Sequence, residues 1–201
     1  MIMAFDGASV DGTEYLDLVR LARHAPAWLN GAVSFWSTYG LAVFAVLALV
    51  GWWFARRDGH AAALRALAVP VFVVVAYGVD ALVKLAVRED RPCQSLRVKT
   101  LETCPAPGDW SFPSNHAAIA AAAAVALLFV SRRLGAVAVV TALAMAVSRV
   151  WVGVHYPHDV LAGLLVGGLV ALTAMLVLRR WSRSVARWIG SGRLRRLLSA
   201  S

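Results

Sequence analysis

The sequence predicts an all-α membrane helix bundle of about five transmembrane helices, preceded by an amphipathic helix at the membrane surface. Three observations predict it. The 201 residues are 60% hydrophobic and only 15% charged, with a mean hydropathy of +0.69. An ordinary soluble domain carries about 45–50% apolar and about 25% charged residues. The apolar residues also form continuous runs rather than alternating ones, and lipid leaves the backbone only the helix or the closed barrel. Finally, the basic residues gather between the runs.

Five runs cover Gly31–Phe54, Leu67–Val87, His116–Val130, Leu134–Val154 and Val160–Leu178. A spanning helix needs about 17–25 residues. Four runs satisfy that, and the third reaches it when extended by Ser114, Asn115 and Ser131. Small residues crowd the third and fifth runs ("AAIAAAAAVA", "AGLLVGGLVA"), which suits close helix packing in lipid. "GLLVG" at Gly163–Gly167 is a GxxxG pattern, a weak signal by itself. These runs place a membrane domain at 31–178. Residues 1–30 mix Leu16, Val19, Leu21 and Leu29 with charges and read as an interfacial amphipathic segment without chemistry. Residues 179–201 read as a basic tail suited to an anionic leaflet. No basic segment leads into an apolar run near the start, so no signal peptide is expected.

With five spans, one face holds Arg56, Arg57, Arg65, Arg132, Arg133, Arg179, Arg180, Arg183, Arg187, Arg193, Arg195 and Arg196 against one acid, Asp58. The positive-inside rule makes that face cytoplasmic, with the C-terminus. It also explains the net charge of +9 without a nucleic-acid partner, and none is expected. Cys93 and Cys104 fall in the outward 88–113 loop, where a disulfide is favoured over two free thiols.

The outward ends of spans two to five then share one membrane face. They carry Lys84 and Arg91, Ser114, Asn115 and His116, Arg149, and His155 and Asp159. Ionisable groups at membrane depth are costly and mark function. Three cations converging there call for an anion, and arginine's planar fork suits phosphate oxygens. Ser114 and Asn115 open a helix whose free N–H groups also favour phosphate. Two histidines beside such a cradle suit phosphoryl transfer, one as nucleophile and one as general acid. Asp80 stands one helical turn before Lys84 and is expected to pair with it. His158, Arg88, Glu89, Asp90, Arg97 and Lys99 are expected in solvated turns and loops. Trp110 and Trp151 flank the site and read as members of the aromatic belt.

"KLAVREDRP" resembles K-x6-R-P, "PSNH" resembles P-S-G-H, and "SRVWVGVHYPHD" resembles S-R-x5-H-x3-D. In this order and spacing they resemble the signature of the type 2 phosphatidic acid phosphatase (PAP2) superfamily, which includes vanadium haloperoxidases and soluble acid phosphatases. The resemblance runs from Lys84 to Asp159 and implies the roles. His155 is the nucleophile forming a phosphohistidine, Asp159 orients its ring, and His116 is general acid and then base. Lys84, Arg91, Ser114 and Arg149 hold the phosphate oxygens. Asn115 stands where the motif has glycine, and its side chain adds a possible donor. No metal or other cofactor is expected.

"SRVWVGVHYPHDVLAG" is most similar to bacterial undecaprenyl-diphosphate phosphatases of that superfamily. The expected substrate is a polyprenyl (undecaprenyl or decaprenyl) diphosphate, cleaved to the monophosphate in the plasma membrane with the site facing outward. Phosphatidylglycerophosphate, phosphatidic acid and decaprenyl-phosphoribose phosphate are the alternatives. A haloperoxidase is disfavoured by the spans and a transporter or scaffold by the complete constellation. A lipid phosphotransferase and the oligomeric state stay open.

Overall fold

The computed structural model describes residues 6–190. Eight helices follow in order: α1 Ala8–His24, α2 Ala27–Tyr39, α3 Leu41–Ala55, α4 His60–Val87, α5 Pro92–Ser95, α6 Asn115–Leu128, α7 Arg132–Trp151 and α8 Pro157–Gly190. The all-α bundle expected from the runs is what forms. α4, α7 and residues 157–182 of α8 are long and apolar enough to cross a membrane. α2 and α3 make a fourth span if taken together, bent by 54°.

The bend falls at Gly40, inside what the sequence offered as one unbroken run. A Cβ at Gly40 would lie 2.5 Å from the Trp36 carbonyl oxygen and 2.8 Å from Met145 Cε. Glycine therefore lets α7 press into the break.

The third run differs more from expectation. α6 has 14 residues, about 21 Å at 1.5 Å per residue, short of a full span. Ser114 and Ser131 stand outside it. The reason is its surroundings. Ala117, Ala118, Ala120 to Ala124, Ala126 and Leu127 are all buried, so α6 is wrapped by protein and need not match the bilayer. Its alanines bring neighbours to backbone distance. Cβ atoms at Gly163 and Gly167 of α8 would lie 2.5 Å from Ser114 O and 2.0 Å from Ala118 O. The GxxxG pattern is thus the seam between α6 and α8.

Two further boundaries shift. α4 begins at His60, so Arg65 lies on the helix rather than in a connection. Residues 179–190, expected to open a separate tail, continue α8 without a break, and 191–201 lie outside the described residues.

α1 does more than lie on a surface. It buries Gly12, Tyr15, Val19 and Ala22, and Tyr15 and Val19 join a cluster with Ala117, Ala146, Val150, Tyr156 and Val160. Tyr15 is fully buried and its hydroxyl donates to the Gly153 carbonyl at 2.8 Å. Cys93 and Cys104 form a disulfide with Cα atoms 6.0 Å apart, closing the loop between α4 and α6 over the same end of the bundle.

Candidate active site

The "YPHD" stretch builds the centre of the site by local rules. Pro157 takes the first position of α8, where its missing N–H costs nothing. Asp159, two residues on, reaches back so that its Oδ2 accepts the Tyr156 backbone N–H at 2.8 Å, as the third residue of a capping box does. The same Oδ2 accepts from the Ser111 hydroxyl and lies 3.3 Å from His155 Nδ1. One carboxylate oxygen thereby starts a helix and orients an imidazole.

His155 is 2% exposed. Its Nε2 lies 3.3 Å from Arg91 Nη1. An arginine only donates, so Nε2 accepts and the proton sits on Nδ1, facing Asp159. Burial above all, then the fields of Arg91, Arg149, Lys84 and His116, hold its pKa well below the ordinary histidine value. His155 is a neutral ring with a free-electron-pair nitrogen turned to the cations.

Each cation is fixed by a different element. Arg91, extended between α4 and α5, donates through Nε to Asp109 O (2.8 Å), through Nη1 to Val154 O (2.9 Å) and through Nη2 to Asp109 Oδ1 (2.9 Å). Arg149, in the last turn of α7, donates to Ser37 Oγ on α2 and pairs with Glu102 at 3.2 Å. Lys84, on α4, donates to the carbonyls of Trp110 (2.7 Å) and Ser111 (3.1 Å). The Ser114 N–H donates to Asp159 O at 3.0 Å. That bond ties the start of α6 to the start of α8.

Ser114 Oγ and Asn115 Oδ1 are buried without a protein hydrogen-bond partner. Ser114 is the N-cap residue of α6 yet its hydroxyl caps nothing, leaving it available to a ligand at the helix start. No hydrogen bond links Asn115 to the other site residues. His116 is half-buried one residue further. Hydrogen bonds join Arg91 to His155, His155 and Ser114 to Asp159, and Lys84 to Ser111, which donates to Asp159. The Arg149 side chain bonds Ser37 and Glu102, and among the described residues no hydrogen bond joins His116 to the others.

Three expectations fail. Asp80 forms no ion pair with Lys84: both its oxygens are buried without a hydrogen-bond partner, because Lys84 is turned to the carbonyls of Trp110 and Ser111 in the loop before α6. Glu89 is not in solvent but 1% exposed. His158 is not a solvated turn residue. Its Nδ1 lies 2.7 Å from Asp11 Oδ1 and its Nε2 lies 3.0 Å from Glu89 Oε1. Ser111, Ser37, Glu102 and Asp109 were not singled out as site residues either, since no spacing in the sequence marks which loop residues fold inward.

Glu89, His158 and Asp159 bring three possible metal-ligand atoms within 4.8 Å of one another, the only such group among the described residues. Both nitrogens of His158 face carboxylates, however, and must carry protons to donate to them. A metal ligand needs an unprotonated nitrogen.

A transmembrane PAP2-type phosphatidylglycerolphosphate phosphatase from Bacillus subtilis shares this fold, with a TM-score of 0.56 over 89% of this chain and 87% of that one at 19% identity. Undecaprenyl-diphosphatase BcrC of Bacillus subtilis is 33% identical over 147 residues, 73% of this chain and 74% of that protein. Decaprenylphosphoryl-5-phosphoribose phosphatase of Mycobacterium tuberculosis is 39% identical over 97 residues, 48% of this chain and 51% of that protein. The PAP2 superfamily profile matches residues 65–183, which include every residue of the cationic cradle. With a match over more than half its length and a relative aligned over most of it, this chain belongs to the PAP2 superfamily and is a membrane phosphatase.

Proposed function

We propose that the protein hydrolyses a polyprenyl diphosphate to the monophosphate and inorganic phosphate through a phosphohistidine. The observation that carries this is the buried neutral His155, with Nδ1 at Asp159 and Nε2 at Arg91. Nε2 attacks the terminal phosphorus and the bond to the bridging oxygen breaks. The electron pair leaves with the polyprenyl monophosphate, whose oxygen takes a proton from His116. Asp159 stabilises the positive charge that the imidazole gains. Lys84, Arg91, Arg149 and Ser114 hold the non-bridging oxygens. Water then attacks the phosphohistidine with His116 as base, releasing phosphate and restoring His155.

The relatives' names support the diphosphate. So does an apolar groove of about 570 Å³ between α2 and α7, lined by Leu29, Val33, Trp36, Leu143, Val147 and Trp151. Ser148 also lines it, next to Arg149. An apolar lining next to Arg149 suits a long hydrocarbon chain. The arginine-rich connections support a site on the outer face of the plasma membrane, by the positive-inside rule.

The test is phosphate release by detergent-purified protein from undecaprenyl diphosphate, phosphatidylglycerophosphate and phosphatidic acid. Wild type is compared with His155→Ala. Release from the diphosphate that falls by at least about a thousandfold in the variant is the expected result. Preference for a glycerolipid overturns the substrate, and release unchanged in the variant overturns the nucleophile.

A further inference from the structure

His158 stands behind the catalytic carboxylate, where no motif assigns it a task. Its ring touches three acids from three parts of the chain. Nδ1 lies 2.7 Å from Asp11 Oδ1 of α1. Nε2 lies 3.0 and 3.2 Å from the two oxygens of Glu89, in the loop after α4. Nε2 also lies 3.5 Å from Asp159 Oδ1, the oxygen that receives no hydrogen bond. The His158 backbone N–H donates to Asp11 Oδ2 at 2.7 Å, so Asp11 grips the residue twice.

The environment suits a cation. The ring lies between two aromatic rings, Tyr156 at 5.4 Å (18° between planes) and Phe112 at 5.9 Å (30°). Aromatic faces attract a positive charge. Glu89 and Asp159 are at most 1% exposed, and two buried carboxylates this close need a positive partner or a shared proton. The other cations of the site have partners of their own: Arg91 pairs with Asp109, Arg149 with Glu102, and Lys84 donates to the carbonyls of Trp110 and Ser111. Gly7 seals the cluster. A Cβ there would fall 2.0 Å from Glu89 Oε1 and 2.8 Å from His158 Cε1.

We propose that His158 is a positioning residue: a doubly protonated imidazole, held by Asp11 and shared with Glu89, that fixes the far side of Asp159 and so makes α1 part of the catalytic apparatus. Oδ2 of Asp159 is held by Ser111, Tyr156 and His155. Among the described residues, His158 is the one cationic partner within 4 Å of Oδ1. Without it, Glu89 and Asp159 repel each other, and the carboxylate that orients His155 is pushed out of line. The inference rests on the reading of His155 and Asp159 given above.

The experiment compares wild type, His158→Gln, Glu89→Gln and the double variant. It reads kcat and KM on whichever lipid phosphate the wild type hydrolyses, with EDTA present, and Tm in the same detergent. Glutamine cannot donate to both acids with a positive charge. The expected result is a fall in kcat of about ten- to a hundredfold in His158→Gln, with KM within about twofold. Adding Glu89→Gln removes the repulsion and restores kcat to within about threefold of the Glu89→Gln single variant. Asp11→Asn, which keeps the shape of the group against Nδ1 but removes its negative charge, lowers kcat in the same direction by less.

Several results would overturn the proposal. One is a kcat within twofold of wild type in His158→Gln. Another is a loss that Glu89→Gln deepens rather than relieves, as a purely structural role would give. A third is activity that EDTA abolishes and Mn²⁺ restores in wild type but not in His158→Gln, which would make the cluster a metal site. If wild type and His155→Ala release phosphate equally, the catalytic reading itself has failed. The Tm cycle still judges the pairing in that case. Losses in the two single variants that add up in the double variant reject a charge shared between His158 and Glu89.

Discussion

His155 shows how burial sets chemistry at a single residue. Its ring is neutral because burial and three cations oppose a further charge, and neutrality is what a nitrogen nucleophile needs. The same shift has a stability consequence of definite sign. The unfolded chain takes up a proton at His155 near pH 6.5, while the folded protein takes it up only at lower pH. Below about pH 6.5 the unfolded state binds more protons, so stability at this group falls as pH drops. His155→Asn, which cannot titrate, should therefore lose fewer degrees of Tm than wild type between pH 7 and pH 5 in the same detergent. An equal loss would mean that His155 is protonated in the fold. Asp80 is the opposite case, a buried carboxyl with no hydrogen bond at either oxygen. Asp80→Asn keeps its shape and removes the charge, and should raise Tm by roughly 2–4 °C, about 1 kcal/mol in a chain of this size. A lower Tm would show that the carboxylate has a stabilising partner.

Among the elements, the loop from 88 to 114 sets what the cradle meets first. It places Asp109 on Arg91 and Glu102 on Arg149, so carboxylates occupy the two arginines that the proposed mechanism assigns to phosphate. Substrate must displace or share these contacts. Glu102 is partly exposed, so its pair is worth about 1 kcal/mol or less. Glu102→Gln should lower KM by up to about fivefold with kcat of the same order. A higher KM would mean that Glu102 aligns Arg149 for substrate instead. The α6–α8 seam is less forgiving. Gly167→Leu drives a side chain into the Ala118 carbonyl and should lower Tm by several degrees, about 1–3 kcal/mol of overpacking, with activity lost as Asp159 leaves Ser114. Gly168→Ala is the control, since its Cβ would meet only Val125 Cγ2 at 3.9 Å. Equal behaviour of the two variants would remove the seam from the argument.

At the scale of the whole molecule, the site is a meeting of helix ends. α4, α6, α7 and α8 each deliver one part of it, and the disulfide-closed loop and α1 cover that end of the bundle. Much of this was legible beforehand. Lys84, Arg91, Ser114, Arg149, His155 and Asp159 announced themselves because a charge or hydroxyl at a span end is costly unless it is used. The all-helical spans followed from hydropathy alone. The covering layer was not legible. Asp11, Glu89 and His158 have the composition of any solvated segment, and only their pairing with one another and the stacking of His158 on Tyr156 and Phe112 draw them out of water. The pairing of Asp80 with Lys84 failed for a related reason. A shared helix face puts two residues within reach, but the carbonyls of Trp110 and Ser111, brought by a distant loop, took the ammonium instead.

The division has one physical root. Properties fixed by local sequence and by the solvent were determined by the sequence itself: the helices, their boundaries to within a turn or so at most ends, the capping geometry of "YPHD", and the residue types of a phosphate cradle. Properties fixed by which surfaces meet were decided only by the tertiary structure. These are the 54° break at Gly40, the shortness of α6, the loop carboxylates on Arg91 and Arg149, and the docking of α1. Each depends on contacts between residues far apart in the chain, and no local pattern records those.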